Sequence, residues 1–177
     1  NMQNPPDGNA PSGNPPTMPG QDASDSTTTD DTTDKQPVLL ITGGKITVNA
    51  DGDGLDSNGD LRVEGGDITV NGPSNGGNGG AGVIAGGTLI ALGTSSMAEN
   101  FGSTSTQCAF LVTMNSFGAG ETITITDSQG TVLYTGVTVK SANSVVFSSA
   151  DLVVGETYTV TIGSNSATVT QSSTVVG

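Results

Sequence analysis

The chain has 177 residues, 17 acidic against 4 basic side chains for a formal net charge of −13, no His, no Trp, a single Cys and 27 glycines. That acidic excess excludes nucleic acid, whose binding needs clustered cations against phosphate, and docking on an anionic membrane. Triad hydrolysis through His is excluded, and no membrane insertion is expected, because no apolar run reaches the ~18 residues of a spanning helix. Cys108 lies alone in the apolar run Cys108–Val112, where a buried inert thiol is expected rather than a nucleophile.

Residues 1–37 read as a linker or loop rich in Pro, Gly and Thr. Pro5-Pro6-Asp7-Gly8, Pro15-Pro16 and Pro19-Gly20 break regular structure, and the polar run Asp25–Asp34 offers no apolar area against its ordering entropy. Alone this segment is expected to be disordered. Its ordering would require a larger fold around it or a neighbouring subunit.

The next stretch writes one unit three times. Ile41-Thr42-Gly43-Gly44-Lys45-Ile46-Thr47-Val48-Asn49 recurs as Val63-Glu64-Gly65-Gly66-Asp67-Ile68-Thr69-Val70-Asn71 and again as Ile84-Ala85-Gly86-Gly87-Thr88-Leu89-Ile90-Ala91-Leu92. Superposing the double glycines gives offsets of 22 and 21 residues (65−43 and 86−65). Four apolar columns then align: Leu39 on Leu61, Ile41 on Val63 and Ile84, Ile46 on Ile68 and Leu89, Val48 on Val70 and Ala91. Alternation of these residues with polar ones is the period of a strand with one buried face. A repeat of this length, with glycine and Asx turns between strands, predicts parallel β-helix (β-solenoid) coils over 38–95. Leu39 opens the first coil with only the linker before it, so further coils are expected upstream in the chain or in a neighbouring molecule.

From 96 to 177 the repeat gives way to short alternating runs, predicted as strands at Gln107–Met114, Thr122–Asp127, Val132–Val139, Ser144–Phe147, Thr157–Ile162 and Ala167–Thr170. Turn residues separate them, among them Asp127-Ser128-Gln129-Gly130 and Gly163-Ser164-Asn165-Ser166. This spacing predicts a small antiparallel β-sandwich, placed to cap the open pairing edge of the last coil. The fold class is therefore all-β.

One stretch is dense in possible ligands: Asp51-Gly52-Asp53-Gly54-Leu55-Asp56-Ser57-Asn58-Gly59-Asp60. Carboxylates and amides on glycine-rich turns match the oxygen donors of calcium, with Asp51, Asp53, Asp56, Asn58 and Asp60 as candidate metal ligands. The spacing departs from the EF-hand loop. It keeps Gly52-x-Gly54-x-Asp56 of the calcium-binding nonapeptide roll, but Asn58 stands where that motif has an aliphatic residue. A solvated turn, with Asp and Asn bonding their own backbone, explains the same residues. The equivalent turn one coil later, Pro73–Gly80, has no carboxylate. Arg62, the sole arginine, is expected to pair outward with Asp60 or Glu64, and no catalytic pair of carboxylates or aromatic sugar platform stands out. The chain does not read as an enzyme.

Gly52–Gly59, Val63-Glu64-Gly65-Gly66-Asp67-Ile68-Thr69-Val70 and Gly72-Pro73-Ser74-Asn75 together resemble a bacterial family of secreted carbohydrate-binding β-helix proteins. Phe110-Leu111-Val112, Ile125–Gly130, Val145–Ser149 and Gly155–Val160 resemble the small β-domain that ends many members, and the segment before Lys35 resembles the loop that interrupts their coils. The resemblance implies an extracellular or cell-surface location, calcium as cofactor, and binding of acidic plant polysaccharide, notably polygalacturonate, without cleavage. It also implies that this is the C-terminal part of such a protein. At −13 the chain would repel a polyanion unless divalent cations bridged the two. The other expectation is structural: an adhesin or filament subunit, self-associating through open coil ends and the N-terminal tail.

Overall fold

In a computed structural model of the chain, residues 38–51, 54–57, 59–72 and 82–177 are described. The linker 1–37, Asp53, Asn58 and the turn Pro73–Gly80 lie outside them. The described residues form eleven strands and no helix: β1 (Val38–Asn49), β2 (Asp60–Asn71), β3 (Val83–Ile84), β4 (Thr88–Gly93), β5 (Ala109–Phe117), β6 (Thr122–Thr126), β7 (Val132–Val137), β8 (Ala142–Ser148), β9 (Thr157–Ile162), β10 (Asn165–Thr170) and β11 (Val175–Val176). They make two sheets. One runs β1-β2-β4-β8-β5-β11, with β3 also on β2; the other runs β10-β9-β6-β7.

The repeat becomes a parallel ladder. Leu39 pairs with Leu61 and Ile41 with Val63, which meets Ile84; Ile46 pairs with Ile68 and Leu89, and Val48 with Val70 and Ala91. The sequence columns are thus hydrogen-bonded neighbours. At the double glycine each strand turns a corner, and the second glycine takes positive φ in all three copies: Gly44 at 91°, Gly66 at 108° and Gly87 at 88°. Any other L-residue would be strained there. The first glycine answers a different demand. A Cβ on Gly65 would stand 2.6 Å from the Thr42 carbonyl oxygen, and one on Gly86 2.4 Å from that of Glu64.

β8 pairs antiparallel with β4, Leu89 to Ser148 through Gly93 to Ser144, and on its other side with β5. The pairing edge below the last repeat strand is therefore closed, and the sheet passes unbroken from repeat strands to C-terminal strands. Strands β4 and β8 are buried on both faces, which is why they read as near-continuous apolar runs. One face, with Leu89, Ala91 and Val146, joins Val63, Ile68, Val70, Leu55 and Phe101 in a core bounded by the repeat strands. The opposite face, with Ile90, Leu92, Val145 and Phe147, packs on Ile123, Ile125, Tyr158, Val160 and Ile162 of the four-stranded sheet. A β-sandwich describes this second core.

The sequence expectations for the C-terminal strands hold in position and shift at their ends. The turn between β9 and β10 is only Gly163-Ser164, because Asn165 already pairs with Ile162. β11 was not anticipated: two residues pair parallel to Ala109 and Phe110. It is seated by Gln171, fully buried, whose Nε2 donates to the carbonyls of Ala109, Ser173 and Thr174 at 2.9–3.0 Å.

Candidate functional site

The acidic turn between β1 and β2 is held from inside by alternation. Leu55 is buried in the repeat core, and Ser57 is buried beside it; its Oγ donates to the Asp60 carbonyl (3.1 Å) and accepts from the Gly59 N–H (3.2 Å). This leaves Asp56 and Asp60 exposed. Asp51 is also exposed, but it has a partner: Lys140 Nζ donates to its Oδ1 at 2.6 Å and to the Ala50 carbonyl at 2.5 Å. The hydrogen bond from Lys140 and its charge hold the Asp51 carboxyl below the usual aspartate range.

Of the five candidate ligands, then, Asp56 and Asp60 are each exposed, Asp51 is engaged by an ammonium group, and Asp53 and Asn58 lie outside the described residues. Among the described residues no group of three or more Asp, Glu, Cys or His side chains is placed to hold a metal ion. A calcium ion takes six to eight oxygens. Asp56 and Asp60 alone are too few for such a shell, and a cation there would need its remaining oxygens from other donors, water or ligand. Lys140 is the residue that sequence reading missed. It lies 89 positions from Asp51, in the segment between β7 and β8, and no local pattern announces the pair.

Two other surfaces offer polar groups. A cleft between β5 and β10 is lined by Thr113, Met114, Asn115, Asn165, Ser166 and Ala167. The outer face of the four-stranded sheet carries Thr122, Thr124, Thr126, Thr157, Thr159 and Thr161, which alternate with the buried Ile123, Ile125, Tyr158, Val160 and Ile162. Arg62 pairs outward with Glu64 at 3.3 Å, both half-exposed, one of the two partners expected. Cys108 is partly buried against the sandwich core, and burial pushes its thiol up, away from nucleophilic chemistry.

The model of a family described as carbohydrate-binding domain-containing protein matches residues 12–158, most of the chain. The chain belongs to that family. Neither the curated proteins nor the solved structures compared with it contain a significant match. The family description points to carbohydrate binding, by a binding module rather than a catalyst. The matched range takes in the repeat strands, the acidic turn and Lys140 but stops within β9, short of β10. One wall of the β5–β10 cleft therefore lies outside the matched residues. The repeat strands and their turn lie within them.

Proposed function

We propose that this carbohydrate-binding domain is an extracellular, non-catalytic module that engages acidic polysaccharide through calcium at the Asp51–Asp60 turn, on a short parallel β-solenoid. The family match carries the carbohydrate part of this reading. The solenoid part is supported by three parallel strands stacked at offsets of 22 and 21 residues with glycine corners in line. The calcium part follows from charge. A −13 chain meets a polyuronate across electrostatic repulsion, and an ion shared between protein and sugar carboxylates removes it. An incomplete shell at Asp56 and Asp60 suits such sharing, since sugar carboxylates fill the remaining positions.

The test is equilibrium binding to polygalacturonate and to a neutral glucan, each in millimolar calcium and in excess EDTA. The reading expects polygalacturonate to bind in calcium and to be lost in EDTA, with at least a tenfold weakening in an Asp56→Asn/Asp60→Asn variant. Binding unchanged by EDTA removes the calcium bridge while leaving carbohydrate binding in place. Failure to bind any of a panel of polysaccharides removes the carbohydrate reading itself.

The second reading, a filament or adhesin subunit, has one observation in its favour: β1 ends its sheet among the described residues. Head-to-tail stacking of coils would also need a free edge on β4, and β8 occupies that edge.

A further inference from the structure

Along one side the sandwich is open. The larger sheet ends in β5 with only the two residues of β11 beyond it, the smaller sheet ends in β10, and the cleft between those edges has a volume of about 310 Å³. That is the small end of the range for ligand pockets, about 300–1,000 Å³. β5 brings free backbone to it. Ala109 donates its N–H to the Thr174 carbonyl and accepts from Gln171, so its peptide groups point away from β8. In an antiparallel pair this orientation recurs every second residue, which turns the peptide groups of Leu111 and Thr113 to the same side. β11 stops opposite Phe110, so no strand covers Thr113 there. Asn165 spans the gap from β10, its Nδ2 donating to the carbonyls of Asn115 and Ser116 at 3.4 and 3.3 Å.

The side chains are uncommitted as well. Asn49, Asn71, Asn100, Asn143 and Asn165 each hydrogen-bond another protein group. The Asn115 amide bonds none among the described residues, and neither do the hydroxyls of Thr113 and Ser166. Asn165 donates only through Nδ2 and keeps its Oδ1 as an acceptor. Exposed sheet edges are ordinarily guarded by charged side chains or proline. In a chain of net charge −13, the lining of this cleft has neither.

From these observations we propose that the β5–β10 cleft is a second carbohydrate subsite, independent of cations and selective for neutral pyranose units. An amide presents a donor and an acceptor side by side, as neighbouring ring hydroxyls require, and the hydroxyls of Thr113 and Ser166 rotate into either role. Met114, partly buried against the sandwich core, gives the C–H face of a ring an apolar surface. The cleft has no carboxylate to hold a bridging cation and no cation of its own, so a uronate would meet the field of an acidic chain unscreened. A peptide strand is a poorer match, because the register of β5 breaks between Thr113 and Phe117 and leaves a short, irregular edge. The inference rests on the carbohydrate part of the function proposed above and not on its calcium part.

The test is amide NMR of the full chain in excess EDTA, titrated with cellohexaose, mannohexaose, galactohexaose and, as the acidic comparison, hexagalacturonate. At least one neutral hexasaccharide should shift the amides of Thr113, Asn115, Asn165 and Ser166 saturably, and hexagalacturonate should shift none of them. Asn115→Ala should leave the melting temperature within a degree or two of the parent, since this amide bonds no protein group, yet weaken the neutral sugar at least tenfold. Three results overturn the subsite: no cleft shift at millimolar neutral sugar, equal shifts from hexagalacturonate, or an Asn115→Ala chain that binds like the parent. Cleft shifts that grow with protein concentration in the absence of sugar also overturn it, by making the edge of a second copy the occupant. A chain that binds polygalacturonate in calcium but shows no cleft shift loses the subsite and keeps the function proposed above; one that binds no glycan in calcium or in EDTA loses both.

Discussion

The repeat strands and the four-stranded sheet start from the same alternation of apolar and polar residues and build with it differently. In β6 and β9 alternation is sufficient: Ile123, Ile125, Tyr158, Val160 and Ile162 turn inward, threonines turn outward, and turn glycines such as Gly130 (φ 84°) have nothing within 4 Å of a would-be Cβ. In the parallel stack the glycines are structural contacts. Backbone rests on backbone at the corners, so the strands are held by a spacing that no side chain can enter. Hairpin glycines answer to local conformation; stack glycines answer to a neighbour about 20 residues away.

The largest effect expected is at the wall the two regions share. Phe147 is fully buried, 5.7 Å from the Phe110 ring and 5.9 Å from that of Tyr134. Phe147→Ala should lower stability by about 3–5 kcal/mol in chemical denaturation. Because the sheet is continuous through β4 and β8, that loss should appear in one transition. Two separated transitions would show the repeat strands and the sandwich to be independent units.

Next in size is a direct contrast of glycines. Gly86→Ala drives a methyl against the Glu64 carbonyl and should cost about 3 kcal/mol. Gly130→Ala meets only the conformational strain of its positive φ and should cost about 1 kcal/mol. Equal losses in the two variants would mean that backbone stacking is not what sets the repeat apart.

The smallest effect lies where the two regions touch through charge. Lys140 lowers the folded-state pKa of Asp51, so the pair's contribution is present above the ordinary aspartate pKa and fades as pH falls through the folded one. Asp51 is fully exposed, so this is a titration effect rather than a pillar of stability. In Lys140→Met the Asp51 carboxyl, followed by NMR, should titrate at its ordinary value, and added salt should move the parent in the same direction. An unmoved titration would show that the pair does not form in solution.

Much of this protein was legible because its information is local or periodic. Double glycines at Gly43, Gly65 and Gly86 aligned four aliphatic columns, and those columns are paired residues in the stack. Alternation around Ile123 and Val160 placed the strands of the second sheet, since burial on one face imposes a period of two wherever a strand lies. The acidic turn was readable as a cluster of carboxylates, but not which of them face one another.

Tertiary structure decided what depends on residues far apart in the chain. Nothing in Val145-Val146-Phe147 says that β8 lies between β4 and β5, or that alternate residues of one strand serve two cores. Gln171 reads as a surface residue until its three carbonyl partners are seen, and Lys140 as a solvated lysine until Ala50 and Asp51 meet it. The physical reason is common to all of these. A period records the face on which a residue is buried, whereas the partner across a sheet or turn is chosen by chain closure over many tens of residues, which leaves no spacing to read.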